Sequence, residues 1–177
     1  MKRFLLLFLA TVVTAWSASA QLSVSQLRTE HLTDPVGIGE RRPLLSWEVS
    51  DASRRGVTQS AYEIRVKSGG RTVWRTGKVA SAESAGVFYD GTPLTSDTRY
   101  TWQVRVWDDR GKASAWSRPA FWRTGLFDVG GWQARWIGPA VSDDLAAMFR
   151  RTFRVTKPVA EATVYVTAHG IYEASVN

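Results

Sequence analysis

The sequence predicts an all-β protein, a complete two-layer sandwich followed by the start of a second one. Three observations carry this. From Leu22 onward, apolar and polar residues alternate at every second position, as on half-buried strands. Turn signals such as Gly69-Gly70, Asp90-Gly91 and Asp108-Asp109-Arg110-Gly111 punctuate the runs. About seven runs fit between Leu22 and Gly125, the span and spacing of one sandwich.

The chain opens differently. Met1-Lys2-Arg3 is a basic start, Phe4 to Val13 is an apolar run, and Ala18-Ser19-Ala20 has the small-x-small pattern that signal peptidases need. Residues 1–20 therefore read as a secretory signal, cleaved between Ala20 and Gln21. Spanning a membrane takes about 20 apolar residues, and Thr14, Ser17 and Ser19 interrupt this run too early. No Cys follows, so a lipidated start is excluded. The expected mature protein is secreted or periplasmic, with no membrane attachment after cleavage.

In the body, Leu22, Val24 and Leu27 begin a first strand, and Leu44 to Val49 form a second with Trp47 in its core. In Ala61 to Lys67, Tyr62, Ile64 and Val66 face one way and Glu63, Arg65 and Lys67 the other. Arg71 to Arg75 follows the Gly69-Gly70 turn, and Val87 to Tyr89 is short. Thr98 to Trp107 is the longest strand, with Tyr100, Trp102, Val104 and Val106 on one face. The chain then returns over Ala113 to Thr124. This pattern suggests an immunoglobulin-like sandwich over residues 21–125. Leu94-x-Ser96-x-Thr98-x-Tyr100 resembles the tyrosine corner of fibronectin type III domains, in which the phenol hydroxyl bonds back to the backbone. Ser114-Ala115-Trp116-Ser117 resembles the final-strand region of such domains.

Residues 126–131 are glycine-rich and read as a linker. Beyond them, residues 132–177 alternate again at Trp132 to Ile137, Met148 to Val155, Ala162 to Ala168 and Tyr172 to Val176. These 46 residues are too few for a complete sandwich, so a truncated second domain is expected.

Composition narrows the chemistry. The formal charge is +7, or +5 without Lys2 and Arg3. The basic residues come as scattered pairs, Arg41-Arg42, Arg54-Arg55 and Arg150-Arg151, with no run of five or six like charges. They read as solvated surface charge, with no nucleic-acid partner expected. The chain has no Cys, which excludes disulfides, thiolate metal sites and cysteine nucleophiles. No carboxylate pair stands out among the acidic residues. Asp108-Asp109 belongs to a turn, and Asp143-Asp144 starts a strand or caps a short helix, with a calcium ligand role as the lesser alternative. His31 and His169 lie far apart, in surface or turn positions. No phosphate-binding glycine loop is present. No catalytic, cofactor-binding or metal-binding residue is therefore assigned. Sugar contact is the one activity left open, through Trp107, Trp74 or Trp122. Trp107 also faces the side carrying Arg105 and Arg65, where a cation–π pair is the competing use.

Several runs in order resemble the N-terminal region of glycoside hydrolase family 78, the bacterial α-L-rhamnosidases. They include Leu27-Arg28-Thr29-Glu30, Pro35-Val36-Gly37-Ile38, Pro43-Leu44-Leu45-Ser46-Trp47, Arg55 to Tyr62, Trp74 to Val79, Arg99 to Asp108 and Trp132 to Gly138. Tyr165 to Asn177 is similar to a family hairpin that ends in Asn-Gly. The resemblance implies a secreted multidomain enzyme: a fibronectin type III-like module, a jelly-roll-like β-sandwich, then an (α/α)6 barrel. The barrel would release terminal L-rhamnose from glycans with inversion, using an acid and a base on opposite faces of the sugar. This chain ends before the barrel, so no catalytic residue carries over. On this reading it is a non-catalytic accessory segment whose partners are the catalytic barrel and, through it, rhamnose-containing glycans. The alternative is a stand-alone secreted carbohydrate- or protein-binding module, with a basic protein binding anionic polymers as a third class.

Overall fold

A computed structural model of the protein describes residues 22–139 and 146–176. The expected cleavage site at Ala20 and Gln21, the Asp143-Asp144 pair and Asn177 lie outside the described residues. The chain divides into two units, between Gln133 and Ala134.

The first unit is all-β, as its alternation predicts. Its eight strands are β1 (Ser23–Thr29), β2 (Val36–Ile38), β3 (Leu44–Ser50), β4 (Gln59–Ser68), β5 (Arg71–Arg75), β6 (Val87–Phe88), β7 (Arg99–Asp108) and β8 (Ala120–Thr124). They form a three-stranded sheet in the order β1-β3-β6 and a five-stranded sheet in the order β2-β8-β7-β4-β5. Every pairing is antiparallel except β2 on β8.

Strand β1 explains an irregularity of the sequence. Val24 and Leu27 are three residues apart, so strict alternation would put them on opposite faces. The register slips between Ser25 and Arg28, where three residues of β1 span two of β3. Gln26 takes a positive φ of 50° within that bulge. Val24 and Leu27 both reach the core as a result. Gly69-Gly70 makes the two-residue turn from β4 to β5, with φ values of 53° and 80°. Thr29 and Leu32 exchange two backbone hydrogen bonds around Glu30 and His31, both at positive φ. His31 is thus a turn residue, as its setting predicts.

The core lies between the two sheets. β4 gives Tyr62, Ile64 and Val66; β7 gives Tyr100, Trp102, Val104 and Val106; β8 gives Trp122. Leu45 and Trp47 come from β3 on the other side. Trp47 is buried and meets Tyr62 edge to face, with centroids 5.3 Å apart. Its indole Nε1 donates to Gln59 Oε1 at 3.0 Å, which ties β3 of one sheet to β4 of the other. Gln59 Nε2 donates in turn to the carbonyls of Ser81 and Glu83, anchoring the segment between β5 and β6.

The tyrosine corner forms as expected. Tyr100 Oη accepts the Thr95 N–H at 3.0 Å, Leu94 is buried, and the phenol ring stacks on Trp122 at 5.3 Å. Thr124 completes the corner by accepting the Thr98 N–H and donating to Thr95 O.

Three expectations change. β2 is an added strand: three residues around Gly37 have no alternation to read, and only docking on β8 makes them a strand. The return over Ala113 to Thr124 is a strand only at Ala120–Thr124. Before it, Ser117 Oγ and Ser114 Oγ accept the N–H groups of Val104 and Val106, taking the place of strand carbonyls. Gly91 is required by proximity, not by a left-handed turn. A Cβ there would lie 2.5 Å from Tyr89 Oη and 2.6 Å from Trp74 Cβ.

In the second unit, taken by itself, the strands expected at Met148 to Val155, Ala162 to Ala168 and Tyr172 to Val176 do not form among the described residues. Phe149, Phe153, Val155, Val164, Val166 and Tyr172 stay exposed. Trp132 to Ile137 is likewise not a strand. Alternation marks the face a strand would bury, but a strand also needs a hydrogen-bonded neighbour. His169 stacks on Trp136, with centroids 4.2 Å apart.

Two substitutions test this core. Tyr100→Phe removes only the corner hydroxyl and should cost about 1–2 kcal/mol in chemical denaturation; an unchanged midpoint would refute the corner's role. Trp47→Ala should cost about 3–5 kcal/mol, whereas a wild-type melting curve would show that the inter-sheet anchor is dispensable.

Candidate functional site

The alternation that fills the core sends the other half of β4 and β7 outward. On that outer face Glu63 lies opposite Arg105, and Arg65 opposite Gln103. Trp107 is the last outward residue of β7 before the Asp108 turn. Trp116 comes from the segment that Ser114 and Ser117 hold against β7.

These side chains interleave as a ladder of cations and rings. The Arg65 guanidinium sits 4.2 Å from the Trp116 ring centroid and Arg105 sits 5.0 Å from it. Arg105 is also 5.0 Å from Trp107, over which Lys78 Nζ lies at 4.7 Å. Each indole thus carries two cations. Arg65 is held in place by donating to Gln103 Oε1 from both Nε and Nη2. Gln103 Nε2 donates to Ser117 O, closing the circuit back to the Trp116 segment.

Glu63 is the ladder's charge anchor. Its carboxylate is buried and accepts from Arg75 Nε at 2.6 Å and from Arg105 Nη2 at 2.6 Å. Burial alone would raise its pKa. The two guanidinium groups together outweigh burial and hold it below the ordinary carboxylate value.

The three tryptophans considered for sugar contact have different fates. Trp122 is fully buried, so the structure withdraws it from the surface. Trp74 is half-buried and packs edge to face on Tyr89 at 5.1 Å. Trp107 takes the cation–π role, with Arg105 and not Arg65 as its arginine; Arg65 serves Trp116 instead. Trp116, Lys78 and the anchoring role of Glu63 were missed by sequence reasoning. The outward positions of Arg65 and Arg105 were the available signal, but Trp116 and Lys78 reach them from irregular segments.

Several acidic residues are committed to structure. Asp108 Oδ1 accepts the N–H groups of Arg110 and Lys112, and the Asp108 carboxylate also pairs with Arg54. Arg54 pairs with Asp109 as well. Asp108-Asp109 is therefore the turn device its position predicts. Asp34 accepts the Phe121 N–H, Glu30 accepts the Leu44 N–H, and Asp97 pairs with Arg123. Among the described residues, no group of three or more acidic or histidine side chains is placed to hold a metal ion.

Glu63 gives this face a pH signature. A depressed carboxylate stabilises the fold above its unfolded pKa, near 4.5, and that contribution is lost as pH falls through the lower folded value. Glu63→Gln should cost about 1–3 kcal/mol at pH 7 and lose less stability than the wild type on acidification. Parallel stability–pH curves for the two proteins would remove Glu63 as the anchor.

Comparison with known proteins places this sandwich. Residues 24–128 match the family described as the Rha78A-like, N-terminal immunoglobulin domain. An α-L-rhamnosidase of Streptomyces avermitilis is 36% identical over 88% of this chain, and one of Alteromonas sp. strain LOR is 34% identical over 84%. The chain spans 18% of the length of each. The crystal structure of the Streptomyces avermitilis α-L-rhamnosidase complexed with L-rhamnose superposes with a TM-score of 0.65 at 44% identity, covering 68% of this chain and 12% of that one. The chain belongs to the Rha78A-like N-terminal immunoglobulin domain family.

Proposed function

We propose that this chain is the non-catalytic N-terminal accessory segment of an exported α-L-rhamnosidase of glycoside hydrolase family 78. The observation that carries the reading is the match of residues 24–128 to the Rha78A-like, N-terminal immunoglobulin domain, together with relatives named α-L-rhamnosidase. The commitment of the Glu63 and Asp108 carboxylates to ion pairs and a turn agrees with a structural role. Residues 21–125 serve as the fibronectin type III-like module and residues 126–131 as the linker. Residues 132–177 are the start of a jelly-roll-like sandwich. Hydrolysis of terminal α-L-rhamnose, with inversion, belongs to a catalytic barrel elsewhere in the parent enzyme. The closed core of the first unit suits it to brace that barrel as a rigid body. Export rests on the basic start, apolar run and Ala18-Ser19-Ala20 of the first twenty residues.

Two experiments test the reading. The purified chain should release no rhamnose from an aryl α-L-rhamnoside, and release by it would overturn the accessory role. Residues 22–133 grafted in place of the matching region of the Streptomyces avermitilis enzyme should leave its rhamnosidase activity within a few-fold. A folded but inactive chimera would argue against a shared bracing role. Export is tested by the mass of the mature protein in the producing cell. It should begin at Gln21, and a retained Met1 would refute cleavage.

A further inference from the structure

The chain's basic charge looks scattered in sequence, yet the fold collects much of it on one surface. The outer face of the five-stranded sheet carries Arg65 and Lys67 from β4, Arg75 from β5, Arg99 and Arg105 from β7, and Arg123 from β8. Against these six cations stand the carboxylates of Glu63 and, beside Arg123, Asp97. Among these strand residues and Asp97, positive charge exceeds negative by four, and Lys78 over Trp107 adds to it. The outer face of the three-stranded sheet is balanced by comparison: of its strand residues Arg28 is the cation and Glu48 the anion. The asymmetry is therefore not a simple consequence of overall basicity.

The second observation is the register. Arg65 lies directly across from Arg75, and Arg99 directly across from Arg123. Like charges in opposed cross-strand positions repel, and here a carboxylate offsets one member of each pair, Glu63 at Arg75 and Asp97 at Arg123. Aromatic and amide contacts hold the guanidinium groups in place. Arg99 lies 3.5 Å from the Phe121 ring centroid, Arg105 lies over Trp107 and Trp116, and Arg65 is fixed by Gln103. Held this way, the arginines lose little side-chain entropy on meeting a ligand, and their planar forks match carboxylates. The indoles of Trp107 and Trp116 each already carry cations, which disfavours stacking of bases on them.

We infer that this outer face binds a carboxylate-bearing, uronate-type polysaccharide along the sheet. The positive surface stands on the geometry alone, while the choice of a polysaccharide rests on the proposed attachment to a glycan hydrolase. Adjacent strands are about 4.8 Å apart and outward residues along a strand about 6.7 Å apart, so an extended polyanion can meet several cations at once. Binding should be salt-dependent, because each contact displaces counterions.

The test measures binding of the purified chain to polygalacturonate, its fully methyl-esterified form, polyglutamate and duplex DNA at low salt. Polygalacturonate should bind most tightly, weaken as salt rises, and lose affinity on esterification. Lys67→Glu with Arg99→Glu should weaken it by about tenfold or more. Arg55→Glu with Arg110→Glu changes the net charge equally at exposed bend and turn positions outside the strands of that face and should leave binding within about twofold. Should the first pair not fold, Lys67→Glu alone, at an exposed position, carries the test with a loss of about threefold. No binding of polygalacturonate, equal losses in both pairs, or tighter binding of DNA or polyglutamate would each overturn the inference. None of these outcomes touches the rhamnoside assays, so the accessory reading stands or falls separately.

Discussion

The register between β4 and β7 is the constraint on which the rest of this structure depends. Tyr62 opposite Val106, Ile64 opposite Val104 and Val66 opposite Trp102 fill the core from one face of the pair. Glu63 opposite Arg105 and Arg65 opposite Gln103 build the outer ladder from the other. Side chains alternate with a period of two, so a slip by one residue would exchange the faces. It would place Glu63 and Arg65 in the core and expose Ile64 and Val66. The burial cost of that exchange locks the register, and the locked register creates the ladder.

The two sheets are joined less by polar contacts than by large rings. Trp47, Tyr62, Tyr89, Tyr100, Trp102 and Trp122 are all buried between them. Their edge-to-face and stacked contacts fill a core that has no disulfide to support it. Polar groups enter where they fix geometry: Gln59 joins the sheets at Trp47, and the Tyr100 hydroxyl closes the corner over Thr95. Gly91 belongs to the same packing, since any larger residue would press on the Tyr89 and Trp74 side chains. A module organised this way is suited to rigidity.

Abundant tryptophan has two distinct uses here. Inside, Trp47, Trp102 and Trp122 supply volume and ring contacts. Outside, Trp107 and Trp116 hold Arg65, Arg105 and Lys78 in fixed positions. The second use places positive charge on a surface without leaving the long side chains free to move. It also explains how Arg105 can serve Glu63 and both indoles at once.

Read by itself, the sequence determined the strands with strong alternation: β4 and β7 with their inward and outward faces, the Gly69-Gly70 turn, the Trp47 core position and the Tyr100 corner. It also determined the family resemblance, since that rests on ordered local motifs. These features are local, each written within about ten consecutive residues. The tertiary structure decided what depends on partners distant in the chain. Pairing with β8 made Val36–Ile38 a strand, and Ser114 and Ser117 replaced ladder carbonyls without forming one. It sent Trp122 inward, and it brought Trp116 and Lys78 to the ladder. It also gathered cations scattered along the chain onto one sheet face. In residues 146–176, alternation specified a face to bury but not a neighbour to pair with, because a strand's hydrogen bonds are completed only by another strand.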